Sequence, residues 1–258
     1  MDTNFVIQTE GLTRQFGEQI AVDHLDLKIE RGTFFGFLGP NGAGKSTTIK
    51  MLTGLLKPSR GLIDILGNDP RIASEAIEIK KRIGVVPEGL ALFGNLTARE
   101  HLTFIGRMYL MPTKTLKERT DELLALMELD RDERKLASEF SHGMQKKLAV
   151  AAALLPDPDL LFLDEPFEGV DAIASRMIRD ILKRSVERGA TVFLTSHVLD
   201  IVENLCTHVG IINKGKLAEH GPLDDLRNGA SLEDRFLEAV QKDSQGKAKL
   251  SWLDEAKA

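Results

Sequence analysis

The pattern of apolar and polar positions changes twice along the chain and predicts three kinds of structure. Residues 5–31 alternate apolar and polar side chains, most clearly over residues 25–30, which is typical of strands with one buried and one solvated face. Residues 97–155 instead place apolar side chains at helical spacing. From Leu160 onwards, short apolar runs alternate with amphipathic segments. The pattern predicts a small antiparallel lobe, a helical insertion and a parallel α/β core.

Short apolar runs bounded by glycine, proline or polar residues predict the strands of the core. They occupy residues 33–38, 61–67, 83–86, 160–163, 191–194 and 209–212. Two Thr-x-x-Glu segments, beginning at Thr97 and Thr115, predict capping boxes that start helices of the insertion. One more amphipathic helix is expected over residues 231–241.

The same pattern suggests how the chain is divided. We expect one domain over residues 1–242, made of a β lobe and core (1–88 and 156–230), a helical subdomain (89–155) and a C-terminal helix (231–242). The polar residues 243–258 are expected to form a frayed or weakly helical tail. The sequence has no visible internal repeat.

Composition narrows the setting in which the chain works. The net charge of −5 argues against broad electrostatic binding to nucleic acid. The single cysteine, Cys206, cannot form an internal disulfide and lies among apolar residues, so we expect a buried, reduced thiol. No apolar stretch approaches the roughly 18 residues of a membrane span, and the first residues lack the features of a signal peptide. We therefore expect a cytoplasmic chain whose membrane role is peripheral or exerted through a partner.

The strongest chemical signal follows the first apolar run of the core. It fits the pattern G-x-x-x-x-G-K-[ST] and reads Gly39-Pro40-Asn41-Gly42-Ala43-Gly44-Lys45-Ser46-Thr47. The glycines let backbone N–H groups surround a polyphosphate, and the following helix offers its positive N-terminal end. Lys45 suits the β- and γ-phosphate oxygens, and Ser46 suits Mg²⁺. A plain Gly-rich turn is the alternative, but a strand before and a helix after the segment favour a site for a nucleoside triphosphate.

Two adjacent carboxylates, Asp164 and Glu165, directly follow another apolar run. They are expected at the carboxyl edge of the sheet, where α/β proteins bind ligands. We expect alternation along the strand to separate them, with Asp164 directed to the metal ion held by Ser46 and Glu165 to an attacking water. His197 ends a further apolar run, so it is expected at the same edge, near the γ-phosphate or the water. The other five histidines have no metal-ligand spacing.

Taken together, these segments resemble the ATP-binding cassette (ABC) transporter ATPases. The resemblance extends over residues 5–237 and rests on residues 39–47, 140–145, 160–166 and 169–171 and on His197. It implies the P-loop NTPase fold, an α/β fold with a parallel core sheet, a small antiparallel β lobe and an inserted helical subdomain. It also implies that two cassettes enclose two ATP molecules, with Ser141 and Gly143 contacting the γ-phosphate bound by the second copy.

The resemblance assigns roles to two residues that look structural by themselves. It implies that Phe16 stacks on adenine. It places Glu88 where the family usually has a glutamine that contacts Mg²⁺ or water and senses the membrane partner. A carboxylate still suits Mg²⁺ but adds negative charge near the triphosphate. The signature segment also departs from the family pattern, at Phe140, His142 and Met144. Methionine after the retained glycine, like the late helix over residues 231–237, resembles exporter-type cassettes.

The resemblance implies an exporter subunit that hydrolyses ATP with Mg²⁺ and drives a separate multi-span transmembrane permease. The other partner that the resemblance implies for this chain is a second cassette, identical or related. The resemblance implies no binding of nucleic acid by the chain. We expect it on the inner face of the cell membrane. Two alternatives remain: a soluble ABC ATPase that remodels a nucleic-acid or protein assembly, and a nucleotide-binding module without turnover. The intact Lys45, Asp164, Glu165 and His197 argue against the second alternative.

Apolar residues after Glu88 either dock the permease or pack the insertion's own core. They are Leu90, Leu92, Phe93, Leu96, Phe104, Ile105, Met108 and Tyr109.

Overall fold

The computed structural model describes residues 4–132, 134–227 and 229–241 of the chain. Its strands are β1 (Phe5–Phe16), β2 (Gln19–Glu30), β3 (Phe34–Leu38), β4 (Arg60–Ile65), β5 (Ile83–Val86), β6 (Leu160–Asp164), β7 (Thr191–Ser196), β8 (His208–Asn213) and β9 (Lys216–Pro222). Its helices are α1 (Lys45–Leu52), α2 (Ala73–Arg82), α3 (Ala98–Met108), α4 (Thr113–Leu126), α5 (His142–Leu154), α6 (Ala172–Glu187), α7 (Leu199–Leu205), α8 (Leu223–Arg227) and α9 (Leu232–Gln241).

Strands β1, β2 and β4 form the predicted antiparallel lobe, in the order β2-β1-β4. The alternation that predicted it is visible in β2, where Leu25, Leu27 and Ile29 are buried and the residues between them are exposed. One face of β2 therefore contributes to the core and the other faces water.

The core sheet has the strand order β5-β6-β7-β3-β8-β9. Its strands run parallel except β9, which pairs antiparallel with β8. Strands β3, β6 and β7 are buried along their whole length, which explains why they read as unbroken apolar runs. Because these three strands are adjacent and parallel, their carboxyl ends meet at one edge of the sheet.

The helical insertion confirms one predicted capping box and shows the other to be wrong. The backbone N–H of Thr97 donates to Glu100 Oε2 at 2.9 Å, and the Glu100 N–H donates to Thr97 Oγ1 at 3.3 Å, at the start of α3. Thr115 does not cap a helix, because α4 begins at Thr113. Pro112 precedes it with φ fixed at −56° and starts the helix two residues earlier.

The insertion shares its core with the sheet. Leu102 on α3, Leu124 on α4 and Leu148 on α5 belong to the same buried cluster as Leu163 on β6. Contact is closest at Gly84 on β5, where an added Cβ would lie 2.2 Å from the carbonyl oxygen of Ala153. Only glycine permits this approach, and it holds α5 directly against the edge strand.

Three other expectations concern Cys206, the late helix with its tail, and membrane-spanning segments. Cys206 is buried, as predicted, and burial raises the pKa of its thiol, so it stays protonated. The late helix is present as α9, whereas the predicted tail over residues 243–258 lies outside the described residues. Among the helices of the described ranges, none has both the length and the apolar character needed to cross a membrane.

Candidate functional site: a nucleotide cleft

A cleft of about 760 Å³ opens at the carboxyl ends of β3, β6 and β7, a volume typical of small-ligand sites. Three groups of residues line it: the phosphate loop, an acidic group with a histidine, and the β lobe with the turn after β8. They are Asn41, Gly42, Gly44, Lys45, Ser46 and Thr47; Glu88, Asp164, Glu165, Glu168 and His197; and Phe16, Gln19, Ile20, Ala21, Lys214 and Gly215.

The phosphate loop joins β3 to α1 through two glycines in left-handed backbone conformations. Gly42 has φ +79° and Gly44, which precedes α1, has φ +112°. A Cβ on Gly44 would also lie 2.6 Å from the carbonyl oxygen of Ala21, so glycine is required there by both conformation and space. Lys45 is buried, and its Nζ donates to the carbonyl oxygen of Gly39 at 2.7 Å. Lys45 is the first residue of α1, and its side chain thus folds back across the loop.

Three residues of the loop do not line the cleft: Gly39, Pro40 and Ala43. Gly39 and Ala43 are buried and support the loop from behind. The carbonyl of Ala43 accepts from the Gly215 N–H at 2.9 Å, and a Cβ on Gly39 would lie 2.5 Å from the carbonyl oxygen of Ile212. These residues shape the loop from its protein side.

Asp164 ends β6 and is fixed by the neighbouring strand β7. Its Oδ1 accepts from the Thr195 hydroxyl at 2.6 Å, and its side chain is buried. The same Thr195 oxygen accepts from the Glu165 N–H at 3.1 Å. One hydroxyl therefore holds both acidic residues at the strand ends.

Glu165 has a left-handed backbone, with φ +49°, directly before Pro166. For a residue with a Cβ, such a conformation costs on the order of 1–3 kcal/mol and is kept only where its surroundings enforce it. Its carboxylate lies beside His197, with Oε2 3.0 Å from Nδ1, and its Oε1 is 4.0 Å from Lys45 Nζ. The prediction that strand alternation separates the two carboxylates is wrong, because β6 ends at Asp164. The left-handed turn at Glu165 separates them instead.

The cleft lining carries more negative than positive side chains, with four carboxylates against two lysines. Glu88 Oε2 is 3.5 Å from Ser46 Oγ, and Asp164 ends the neighbouring strand β6. Within the described ranges, no three His, Cys, Asp or Glu side chains gather around one point. Mg²⁺ needs no such cage, since it commonly takes one or two carboxylates together with phosphate oxygens and water. The oxygen donors of Ser46, Glu88 and Asp164 therefore fit this ion.

Phe16 ends β1 at the β-lobe side of the cleft and is 46% exposed. The guanidinium of Arg14 lies 4.3 Å from the ring centroid. An aromatic ring that is this exposed, and fixed on one side by a cation, offers a flat apolar surface for a planar group.

The signature residues lie away from this cleft. Ser141 precedes α5, and its Oγ accepts from the Met144 N–H at 3.3 Å, so it caps the helix. Neither Ser141 nor Gly143 lines the cleft. His142 packs against Gly169, where an added Cβ would lie 2.6 Å from the ring. Within one chain, the signature segment contacts the residues after the acidic pair and leaves the phosphate loop open.

Several residues that line or support the cleft were not predicted from the sequence. Glu168 and the turn formed by Lys214 and Gly215 line the cleft. The turn has a signal in the sequence, because Asn-Lys-Gly between two strands predicts a left-handed glycine, and Gly215 has φ +81°. Lys146, which is fully buried beside Glu165, has no such signal, since lysine in a helix normally faces water.

A phosphate loop between a buried strand and a helix, next to an acidic strand end, defines a P-loop nucleoside triphosphatase. The sequence model of one such family, described as ABC transporter, matches residues 22–168. The chain belongs to the ABC transporter family of ATP-binding proteins.

Relatives in this family cover most of the chain. It is 42% identical to the bacitracin transport ATP-binding protein BcrA of Bacillus licheniformis, over 88% of this chain and 74% of that protein. It is 38% identical to the linearmycin resistance ATP-binding protein LnrL of Bacillus subtilis, over 86% of this chain and 70% of that protein.

Solved structures agree. An ATP-binding subunit of an ABC transporter matches with a TM-score of 0.85 and 30% identity, over 91% of this chain and 99% of that one. A dimeric cassette in a post-hydrolysis state, bound to ADP and phosphate, matches with a TM-score of 0.77 and 26% identity, over 84% and 98%. The predicted family and fold are confirmed. The chain is an ATP-binding subunit of an ABC transporter and hydrolyses ATP.

Proposed function

We propose that this chain powers an exporter by binding Mg²⁺ and ATP, pairing with a second cassette and driving a separate multi-span permease from the cytoplasmic face of the membrane. The observation that carries the proposal is the meeting of Lys45, Glu165 and His197 in one cleft. The exporter assignment is supported by relatives whose names refer to bacitracin transport and to linearmycin and daunorubicin resistance.

The phosphate loop, residues 39–47, is the proposed cradle of the triphosphate. Lys45 and the N–H groups at the start of α1 neutralise the β- and γ-phosphates. Ser46, Asp164 and Glu88 are the proposed ligands of Mg²⁺, which supplies further charge neutralisation when bound. A divalent cation is needed because the negatively charged triphosphate would otherwise be repelled by the four carboxylates that line the cleft.

Glu165 is the proposed general base. It accepts a proton from the water that attacks the γ-phosphate, and His197 orients both the carboxylate and that water. The 3.0 Å contact between Glu165 Oε2 and His197 Nδ1 supports this pairing. Phosphoryl transfer of this kind depends chiefly on positioning and electrostatic stabilisation, which such fixed groups provide. Phe16 is the proposed stacking partner of adenine.

A second cassette completes the proposed site. Ser141 and Gly143 are the proposed contacts to the γ-phosphate bound by the other copy. Ser141 is exposed at the N-terminus of α5, outside its own chain's cleft, so its positive helix end is available to that phosphate. The dimeric cassettes among the structural neighbours support this arrangement.

The permease is proposed to dock on the helical subdomain, residues 89–155. Of the candidate docking residues, Phe93, Phe104 and Met108 are exposed, at 45%, 41% and 67%, and we call these three the apolar patch. The rings of Phe93 and Phe104 meet edge to face, with centroids 4.9 Å apart. The remaining candidates are buried or half-buried, and Tyr109 donates to the carbonyl oxygen of Ile83.

Co-purification from the native cell tests the proposal. The tagged chain is extracted from membranes in mild detergent, and its stoichiometric partners are identified. The expected partner is a multi-span membrane protein. A salt-stable soluble assembly without a membrane protein would replace the exporter with the remodelling ATPase. A parallel sample that carries Phe93→Ser and Phe104→Ser is expected to recover less permease while still binding ATP.

A further inference from the structure

Lys146, on helix α5, carries a buried charge that the proposed reaction has not used. Its side chain is 1% exposed, and its Nζ donates to the backbone carbonyl oxygen of Glu165 at 2.6 Å. A buried ammonium is unfavourable unless its surroundings compensate for lost hydration. An apolar side chain of the same length would pack here without that cost, so the charge and its hydrogen bond call for a separate explanation.

Lys146 faces the cleft from the protein side. Burial lowers the pKa of its ammonium, and four carboxylates oppose that shift: Glu168, Glu165, Asp164 and Glu88. All four line the cleft. Lys146 is therefore a cation behind the acidic wall of the cleft, with its hydrogen bond directed to the backbone of one member of that wall.

The backbone of Glu165 is held from both sides. Its N–H donates to Thr195 Oγ1 on β7 at 3.1 Å, and its carbonyl accepts from Lys146 on α5 at 2.6 Å. This is the residue with the left-handed φ of +49°. Rotation of its backbone would carry the carboxylate away from His197, so the two hydrogen bonds fix where that carboxylate points.

We propose that Lys146 is a positioning residue that holds the left-handed backbone of Glu165 and links the direction of its carboxylate to the position of helix α5. This inference rests on the proposed role of Glu165 as the base. Helix α5 begins at the Ser141 cap, which in the proposed dimer faces the nucleotide of the second copy. A shift of α5 when the cassettes close is passed to Glu165 through the hydrogen bond from Lys146.

Steady-state ATP hydrolysis by the full chain tests the inference. Lys146→Met keeps the apolar stem and removes the ammonium. We expect kcat to fall by about 10- to 100-fold, because a small misplacement of a catalytic group has effects of this size. KM for ATP is expected to stay within about threefold, since Lys146 does not line the cleft. Lys146→Arg keeps the charge and N–H donors and is expected to give a higher kcat than Lys146→Met.

Lys147→Met is the matched control on the same helix. The Nζ of Lys147 lies 4.0 Å from Glu128 Oε2, so this variant also loses an ammonium from α5, and neither Lys147 nor Glu128 lines the cleft. Its kcat is expected to stay at the parental value. Binding of a fluorescent ATP analogue shows that each variant is folded. If Lys146→Met fails to bind it, Lys146→Leu, which also lacks a donor, is measured against the same criteria.

Three results would overturn the inference: a kcat for Lys146→Met within about twofold of the parent, a loss in Lys147→Met as large as that in Lys146→Met, or no gain from Lys146→Arg. Glu165→Gln separates this failure from that of the proposed function. If Glu165→Gln hydrolyses ATP at the parental rate, the base assignment fails. If Glu165→Gln is inactive and Lys146→Met is not impaired, only the role of Lys146 is lost.

Discussion

The cleft and the apolar patch are two exposed surfaces with opposite construction. In the cleft, polar groups such as Asp164 and Lys45 are buried and hold defined hydrogen bonds before any ligand arrives. On the patch, Phe93 and Phe104 are exposed, and their rings contact each other, with Phe93 also against the ring of the buried His101. A charged ligand is bound by preorganised polar groups, whereas an apolar partner gains from surface that is still wet. The polar groups of the cleft therefore already have hydrogen-bond partners before ATP binds, whereas the apolar side chains of the patch stay exposed to water until a partner protein covers them.

The largest effect is expected from a substitution in the cleft. Glu165→Gln removes the proposed base while keeping the size of the side chain, so turnover should fall by at least about 100-fold. Binding of a fluorescent ATP analogue should stay within about threefold of the parental affinity, because Lys45 and the loop remain. Glu122→Gln, on the exposed face of α4, is the control and should behave as the parent. Turnover by Glu165→Gln at the parental rate would remove Glu165 from the mechanism.

The second prediction tests the apolar patch as the docking surface of the permease. Phe104→Ser should weaken binding of the permease by about tenfold or more, since burying a Phe side chain contributes about 1.5–3 kcal/mol. ATP hydrolysis by the isolated chain should not change. Leu126→Ser is the matched control, because Leu126 is 45% exposed but lies on α4 outside the patch. Equal loss of binding in both variants would show that general surface apolarity, and not this patch, holds the partner.

A smaller effect is expected from reducing the negative charge of the cleft. Glu88→Gln should keep ATP hydrolysis within about tenfold of the parent, since an amide oxygen can replace one ligand of Mg²⁺. The Mg²⁺ concentration that gives half-maximal activity should rise, because one carboxylate is lost. Titration of activity with Mg²⁺ measures both values. Asp164→Asn provides the comparison and should lose more activity, because it leaves Thr195 paired to a neutral side chain. Complete loss in Glu88→Gln would make Glu88 essential.

The smallest effect concerns the helix that carries most of the patch. Thr97→Ala should lower the free energy of unfolding by about 1 kcal/mol, because it removes the capping side chain of α3. Thr115→Ala is the control. That residue lies inside α4, so the change should stay within about 0.5 kcal/mol. Denaturant unfolding measures both. A larger loss in Thr115→Ala than in Thr97→Ala would contradict the observed start of α4.

Local chemistry explains which parts of the structure were predictable. The strands around the site were found because burial on both faces requires unbroken apolar runs, as in β6 and β7. Their shared carboxyl edge then predicted that the loop, the acidic pair and His197 lie together. The start of α4 was missed because the capping pattern at Thr115 competes with Pro112, and the fixed φ of proline prevailed.

The sequence by itself determined the α/β order, the phosphate loop and the acidic strand end, because each depends on a few adjacent residues and their backbone preferences. Tertiary structure alone decided which groups hold those residues in place. Thr195 and Lys146 are 30 and 19 positions from Glu165 in the chain, yet both hydrogen-bond to its backbone. It also decided that Phe104 is exposed while Leu102 is buried. Such contacts follow from packing between distant elements, which no local pattern records.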